Sequence, residues 1–224
     1  ARAGFDWLAI DLEHSVITLD TAQEMIRIIE LYGVSPLIRV TSNDSNIIKR
    51  VMDAGAQGVI VPMVNTAKEA ERAVGSVKYP PQGTRGVGLA RAQNYGLGFD
   101  AYKDLVNKES VVVVQIEHIE AISNLEEILN TDGVDASMIG PYDLSASLGY
   151  PGEFEKEQVK KAVEEYMRIS KKLNKPAGFH VIPPYAEKLN EKLKDGFEFL
   201  AFSLDALFLG EKLKNEISSI EKEI

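Results

Sequence analysis

Two acids, Glu117 and Asp143, each follow a short apolar run, 111–116 (VVVVQI) and 136–139 (ASMI), that reads as one of two successive strands. Neighbouring strands lie about 4.8 Å apart, so two carboxylates at matching heights can hold one divalent cation. No cysteine and no set of several histidines stands beside them, and oxygen ligands alone suit Mg²⁺, Mn²⁺ or Co²⁺ in a partly hydrated octahedron. The plainer alternative is two solvated acids at loop starts. His14 comes three residues after Asp11 in Asp-Leu-Glu-His. A neutral imidazole is the commonest general base near neutral pH, although a lone histidine after a strand can equally serve as a structural hydrogen-bonder. His118 and His180 have no motif around them and read as structural or supporting groups. Arg39 ends the run 36–40 (PLIRV) and suits a clamp on a carboxylate or a developing oxyanion, or a rim salt bridge. Arg85 and Arg91, in TRGVGLAR, could bind anions where glycine lets the backbone approach. The triplet GVG does not open a βαβ unit, so it is no dinucleotide fingerprint.

The elements that must position these groups alternate. Apolar strand-like runs are read at 7–11, 36–40, 58–61, 111–116, 136–139, 177–180 and 199–202. Helical periodicity occupies 19–32, 46–54, 66–77, 121–129, 156–173 and 184–194, and the tail from Asp205 is mostly helical. The stretch 79–98, rich in Gly with Pro80 and Pro81, reads as a long loop, and loops of that length are usually functional or disordered. Alternating βα units predict a parallel sheet. Seven units fit either a doubly wound sheet or a (β/α)8 TIM barrel short of one unit. The opening residues, ARAGFDW, look like a helix end running into a strand, so the barrel is favoured, with its first strand expected before Ala1. One domain over 1–224 with a C-terminal helical extension is expected. In such barrels catalytic groups sit where strands run into the following loops, and Asp11, Glu13, His14, Arg39, Gln115, Glu117, Asp143 and His180 all fall there.

Composition narrows the classes. The 224 residues carry 25 basic and 34 acidic side chains, a net charge of −9, which argues against a nucleic-acid partner, though not against small anionic substrates. The absence of cysteine removes disulfides, thiolate nucleophiles and Cys-ligated zinc. No apolar run approaches the roughly 18 residues of a membrane span, and no signal-peptide pattern is read, so a cytoplasmic protein without a membrane partner is expected.

Taken together, GFDWLAIDLEHS from Gly4, PLIRV from Pro36, MDAGAQGVIVPMV from Met52, GTRGVG from Gly83, VVQIEHIEA from Val113 and IGPYDLSASLG from Ile139 resemble the HpcH/HpaI aldolase family. These are class II, metal-dependent pyruvate aldolases of the 4-hydroxy-2-oxoheptanedioate aldolase type. The segments span nearly the whole chain in the family's order. The resemblance implies a (β/α)8 barrel, Glu117 and Asp143 as metal ligands, and His14 as the base, working through a metal-bound water. It implies that Arg39 binds pyruvate and steadies its enolate, and that Gln115, Tyr142 and Asp143 contact substrate. The family often has alanine at position 142, so a Tyr142 contact is expected through its backbone. Where His118 stands it often has a small polar residue. Asp53 matches an acid thought to raise the basicity of the histidine. It lies near a helix end, on the opposite rim, and could reach only a neighbour's His14; within one chain, Asp11 would be the better partner.

The implied reaction cleaves a 4-hydroxy-2-oxo acid to pyruvate and an aldehyde, with a place in aromatic-compound catabolism. No lysine ends a strand, which argues against a Schiff-base aldolase. Two rivals remain: a citrate lyase β-like, Mg²⁺-dependent enzyme acting on a CoA thioester, and an inactive barrel serving as a binding module. A homo-oligomer, by resemblance a hexamer, is expected. The stretch 197–209 (FEFLAFSLDALFL) is independently rich in apolar side chains that need cover, on the chain's own barrel or on a neighbour's.

Overall fold

The computed structural model describes residues 1–220. Among them, seven strands and ten α-helices follow one another as β1 (Trp7–Asp11), α1 (Leu19–Leu31), β2 (Ser35–Arg39), α2 (Ser45–Ala54), β3 (Gly58–Val61), α3 (Ala67–Val77), α4 (Phe99–Glu109), β4 (Val111–Ile116), α5 (Ile119–Ser123), α6 (Leu125–Asn130), β5 (Ala136–Ile139), α7 (Pro141–Ser147), α8 (Glu157–Lys172), β6 (Ala177–Val181), α9 (Ala186–Lys194), β7 (Phe199–Phe202) and α10 (Asp205–Ser219). The seven strands form one sheet in sequence order, and every neighbouring pair is parallel. The chain is therefore an α/β protein with a barrel-like parallel sheet. The hydrogen-bonded sheet runs from β1 to β7 without closing, so the strands described do not by themselves make a complete eight-stranded barrel.

Helix starts follow their caps. Thr18 accepts from the Thr21 amide, Asp44 from the Asn46 and Ile47 amides, and Thr66 with Glu69 forms a reciprocal capping box. Gly55 closes α2 in the left-handed region at φ 111°, which costs glycine nothing. Two helices are absent from the sequence-based expectation. The first, α4, begins at Gly98 without a side-chain cap and buries only Val106 fully, so its apolar stripe is weak. The second, α7, is only seven residues long, though Pro141 at its first turn is a legible start signal. Within the expected loop, Arg91–Gly96 forms tight turns broken by a kink, with Asn94 and Tyr95 in the left-handed region at φ 53° and 54°. The expected helix at 121–129 is two, α5 and α6, meeting at Asn124. The helical tail ends at Ser219 as described, and 221–224 lie outside the described residues.

Strand periodicity divides the core in two. One set of alternating residues, including Ile10, Ile38, Val59, Val61, Val112, Val114, Ile116 and Ile139, packs against the helices. The other set faces the inside of the curled sheet, where Ile60, Val113, Ala136 and Met138 pack with Trp7, Val111, Phe199 and Ala201. Trp7 on β1 stacks on Phe199 of β7 with ring centroids 4.5 Å apart, so the two edge strands meet through side chains across the interior. Both faces of the sheet are thus apolar, which is why strands such as β4 read as continuous apolar runs. Tyr166 of α8 is fully buried in the helix-facing layer. Its hydroxyl lies 2.9 Å from Ser137 Oγ on β5 and accepts from the Gly178 amide of β6 at 3.0 Å. Burial pushes its phenol up to about 12. Tyr166→Phe is expected to lower stability by about 1–2 kcal/mol by leaving Ser137 and Gly178 without that partner. A shift of the denaturant midpoint at unchanged slope measures it.

Candidate active site

Above the apolar inner layer, the inward column turns polar. Asp11 and Arg39 are direct register partners at the ends of β1 and β2. Arg39 donates from Nε to Asp11 Oδ1 at 2.8 Å and from Nη2 to Oδ2 at 2.6 Å. Asp11 Oδ1 also accepts the backbone N–H groups of Glu13 at 2.9 Å and His14 at 3.3 Å. Ser15 Oγ donates to the Asp11 carbonyl and accepts the Ile17 amide, so one aspartate folds the whole β1–α1 loop. Burial alone would raise the Asp11 carboxyl. The hydrogen bonds and charge of Arg39, with the two amides, outweigh it and hold the group below its ordinary value. Arg39 spends Nε and one Nη2 hydrogen on Asp11, which leaves the opposite edge of its guanidinium uncommitted.

Gln115 and Glu117 lie two residues apart at the end of β4, both buried. Gln115 Nε2 donates to Glu117 Oε1 at 2.6 Å, and the Met63 amide donates to Oε2 at 3.0 Å. Met63 adopts φ 52° in the turn after β3 that presents this amide. Gly140, at the end of β5, provides the room: a Cβ there would lie 2.7 Å from Glu117 Cγ and Oε1. Burial, with the Glu13 and Asp143 charges, pushes Glu117 up to about 7 against the Met63 hydrogen bond and Arg39. Asp143, in the first turn of α7, is exposed. Gln115 Oε1 is buried and has no partner.

The structure thus brings Asp11, Arg39, Gln115, Glu117 and Asp143 to one end of the sheet, as their strand-end positions predict. His14 stands beside them on the loop, its side chain 71% exposed. Tyr142 is exposed too, and its ring lies against Gly152. Glu13, to which the sequence pattern gave no role, is also here: its Oε2 is 3.5 Å from Arg39 Nε and 3.8 Å from His14 Nε2. Its parity with Asp11 in an extended chain was the available signal. Asp11 does not support the His14 ring as expected within one chain. It touches His14 only at the backbone, because its oxygens are taken by Arg39 and two amides.

Asp53 is not brought to His14. It sits at the end of α2, where Arg85 Nη2 donates to Oδ1 at 2.5 Å. Arg85 is fully buried, with its guanidinium 4.7 Å from the Tyr79 ring centroid and 5.6 Å from that of Tyr102. Arg91 donates to Glu30 and to the Ala54 carbonyl. Arg85 is therefore committed inside the protein, and Arg91, 23% exposed on its side chain, is held by Glu30 and a backbone carbonyl, so each already has a partner within the chain where the sequence suggested anion binding. His118 caps α5 by accepting the Glu120 amide at 3.2 Å. His180 Nε2 lies 3.0 Å from the Ser203 carbonyl, and burial holds its imidazole below the usual range.

Among the described residues, no group of three or more His, Cys, Asp or Glu side chains is spaced to hold a metal ion. The donor chemistry nevertheless fits a cation carried on two carboxylates and water. Asp11, Glu13 and Glu117 surround the Arg39 guanidinium, with Asp143 near Glu13 and Glu117, and a divalent ion would favour the charged form of Glu117 that burial, and then the neighbouring acids, disfavour. Glu117 and Asp143 are the pair free to hold it, since Asp11 is bound to Arg39.

Asp11→Asn tests the anchoring pair. The loss is expected to be about 1–2 kcal/mol at neutral pH for a site with the aspartate one-third open to water (33% exposed). A carboxyl held below its ordinary value stabilises above that value and loses this contribution as pH falls through the folded one. The gap between wild type and variant, followed by denaturation against pH, should therefore be full at neutrality and close on acidification.

A family model described as HpcH/HpaI aldolase/citrate lyase matches residues 1–209. A 2-keto-3-deoxy-L-rhamnonate aldolase of Klebsiella pneumoniae is 37% identical over 226 residues, covering 100% of this chain and 83% of that protein. Among solved structures, an HpcH/HpaI aldolase from Desulfitobacterium hafniense superposes with a TM-score of 0.90 at 29% identity, covering 100% of this chain and 86% of that one. The citrate synthase SbnG superposes with a TM-score of 0.84 at 28% identity, covering 97% and 84%. With the match extending over almost all of its length, and the strand-end residues in place, the chain belongs to the HpcH/HpaI aldolase/citrate lyase family.

Proposed function

We propose that this protein is a class II pyruvate aldolase that cleaves a 4-hydroxy-2-oxo acid to pyruvate and an aldehyde. The observation that carries the reading is the polar end of the sheet, where a buried Glu117 lies near both an exposed Asp143 and a guanidinium with one free edge. Relatives named as 2-keto-3-deoxy-L-rhamnonate aldolases support it, because a 2-keto-3-deoxy sugar acid is itself a 4-hydroxy-2-oxo acid.

Glu117 and Asp143 would hold a divalent cation, Mg²⁺, Mn²⁺ or Co²⁺, whose Lewis acidity would draw electrons from the 2-oxo group. Gln115 and the Met63 amide fix the Glu117 carboxylate from two sides, so it needs no reorganisation to serve. Arg39, immobilised by Asp11, offers its free edge to the substrate carboxylate and to the negative charge that develops during cleavage. His14 accepts the C4 hydroxyl proton. The C3–C4 bond breaks, its electron pair passes to the pyruvate enolate, and the aldehyde departs. Protonation at C3 from His14 or water then yields pyruvate. Gln115 and the backbone at Tyr142 complete the substrate contacts, and no lysine is required.

The citrate lyase-like alternative, acting on a CoA thioester, draws on the same fold, and an inactive module would keep the fold alone. One titration separates these readings. Calorimetry with Mn²⁺ and pyruvate should show pyruvate binding that depends on metal, aldol cleavage should stop on chelation, and Glu117→Gln should lose both while keeping its circular dichroism. Activity of Glu117→Gln in metal-limited buffer, or a requirement for CoA, would sink the assignment.

A homo-oligomer, up to a hexamer, belongs to the same proposal. Helix α10 buries no residue; Leu209, Leu213 and Ile217 recur on one exposed face, four residues apart. A second copy of the chain is the cover proposed for it, and the same assembly is what could bring a neighbour's His14 to Asp53. An eighth parallel strand between β1 and β7 would complete a (β/α)8 barrel around the Trp7–Phe199 stack. Light scattering at micromolar concentration should give a multiple of 24.7 kDa. A fully active species of one chain's mass would defeat the assembly and the Asp53 role together.

A further inference from the structure

His180 takes no part in the mechanism above, yet it stands inside the site. Register pairs it with Ala201, which packs in the inner apolar layer, while its neighbour Phe179 packs on the helix side. The imidazole therefore faces the interior of the curled sheet. Carrying the β5–β6 register one step beyond Ile139 and Phe179 sets His180 beside Gly140, the residue that makes room for Glu117. The strands flanking Gly140 thus present Glu117 on one side and His180 on the other. One ring nitrogen is already spent. Nε2 lies 3.0 Å from the Ser203 carbonyl oxygen, which can only accept, so Nε2 carries the hydrogen and the neutral ring keeps its lone pair on Nδ1. That carbonyl is itself held in place. Ser203 adopts φ 57°, its amide donates to the Val181 carbonyl at 2.7 Å, and its hydroxyl donates to the Ile182 carbonyl at 2.8 Å. Nδ1 meets no donor among the described residues. The charges that reach the ring are those of Arg39 and Asp11, and Asp11 is bound to Arg39. Burial, and then Arg39, disfavour an imidazolium here. These surroundings suit a fixed acceptor better than a base that must carry a proton.

We propose that His180 is a specificity-determining residue, whose Nδ1 accepts a hydrogen bond from a substrate hydroxyl other than the one deprotonated at C4. A site built around such an acceptor rejects an analogue that lacks the hydroxyl, because the lone pair, shielded from water by the bound substrate, is then left unpaired. Two hydroxyls meet the description. One is on C3 and belongs to the oxo-acid half; the other is on the carbon beyond C4 and belongs to the aldehyde half. The inference deepens the aldolase reading and rests on it for the identity of the substrate. The state of the ring can be observed without turnover.

The test uses partners that differ by one hydroxyl: hydroxypyruvate against pyruvate with a common aldehyde, and glycolaldehyde against acetaldehyde with pyruvate. Aldol formation is followed in wild type, His180→Leu and His180→Asn. In one of the two pairs, the ratio of kcat/KM for the hydroxylated over the plain partner should fall about 10- to 100-fold in His180→Leu. The pair that responds tells which half carries the hydroxyl. His180→Asn, which keeps an acceptor oxygen near the place of Nδ1, should recover part of the ratio. Ring ¹⁵N signals of the wild type with Mg²⁺ need no variant, so they decide the matter if His180→Leu fails to fold. They should show His180 as the Nε2–H tautomer at pH 7. Hydroxypyruvate, or glycolaldehyde added with pyruvate, should move the Nδ1 signal, and the plain partner should not. A ratio unchanged in both pairs, or an Nδ1 signal that neither hydroxylated partner moves, would overturn the proposal and leave His180 as a buttress of the Ser203 turn. If the wild type forms no aldol product with any pair while Nδ1 still responds, the aldolase reading fails and the assignment of His180 stands.

Discussion

Asp11 and Arg39 stand side by side in register on neighbouring parallel strands, and their pairing supports the rest of the site. Four donors converge on one carboxylate: two from the guanidinium and two backbone amides from the loop that follows. The pair therefore does two jobs with the same atoms. It neutralises an arginine at the end of an apolar strand, where an unpaired charge would be expensive. It also sets the turn that carries Glu13 and His14, so the direction of the base loop is tied to the direction of the anion clamp. A change at either residue acts on both.

The inner face of the sheet explains why this cluster can exist. Below it, Ile60, Val113, Ala136 and Met138 with Trp7 and Phe199 form a dry layer. Above it, the same alternating positions carry charge. The lower layer denies water to Glu117 from beneath, and its carboxyl is raised to about 7 in consequence. Two fixed donors and a glycine hold it in place all the same. Clustered acids of this kind work against folding stability. Proteins tolerate such local conflict at sites whose ligand resolves it.

At the other end of the helices, charge is used differently. Arg85, stacked near Tyr79 and Tyr102 and bonded to Asp53, fastens the segment after α3 to α2, while Arg91 fastens the segment after it to α1 and α2. These arginines turn a glycine-rich stretch with little periodicity into an ordered strap. Asp53, 22% exposed on its side chain, remains at the surface there.

The sequence by itself determined the alternation of strands and helices, because periodicity and caps are local, and it determined which residues stand at strand ends. Asp11, Arg39, Gln115, Glu117 and Asp143 were legible as one set for that reason. Helices α4 and α7 were not, since α4 has no side-chain cap and buries little, and α7 is short. Tertiary structure decided how each polar group is spent. Register placed Asp11 opposite Arg39 and so took it from His14. Burial committed Arg85 inward, and Glu30 with the Ala54 carbonyl took Arg91. A turn folded onto the Asp11 carboxylate placed Glu13 beside Arg39 and His14. Spacing along a chain fixes which face a residue can occupy, but the partner it meets there comes from another strand or loop, brought close only when the sheet curls.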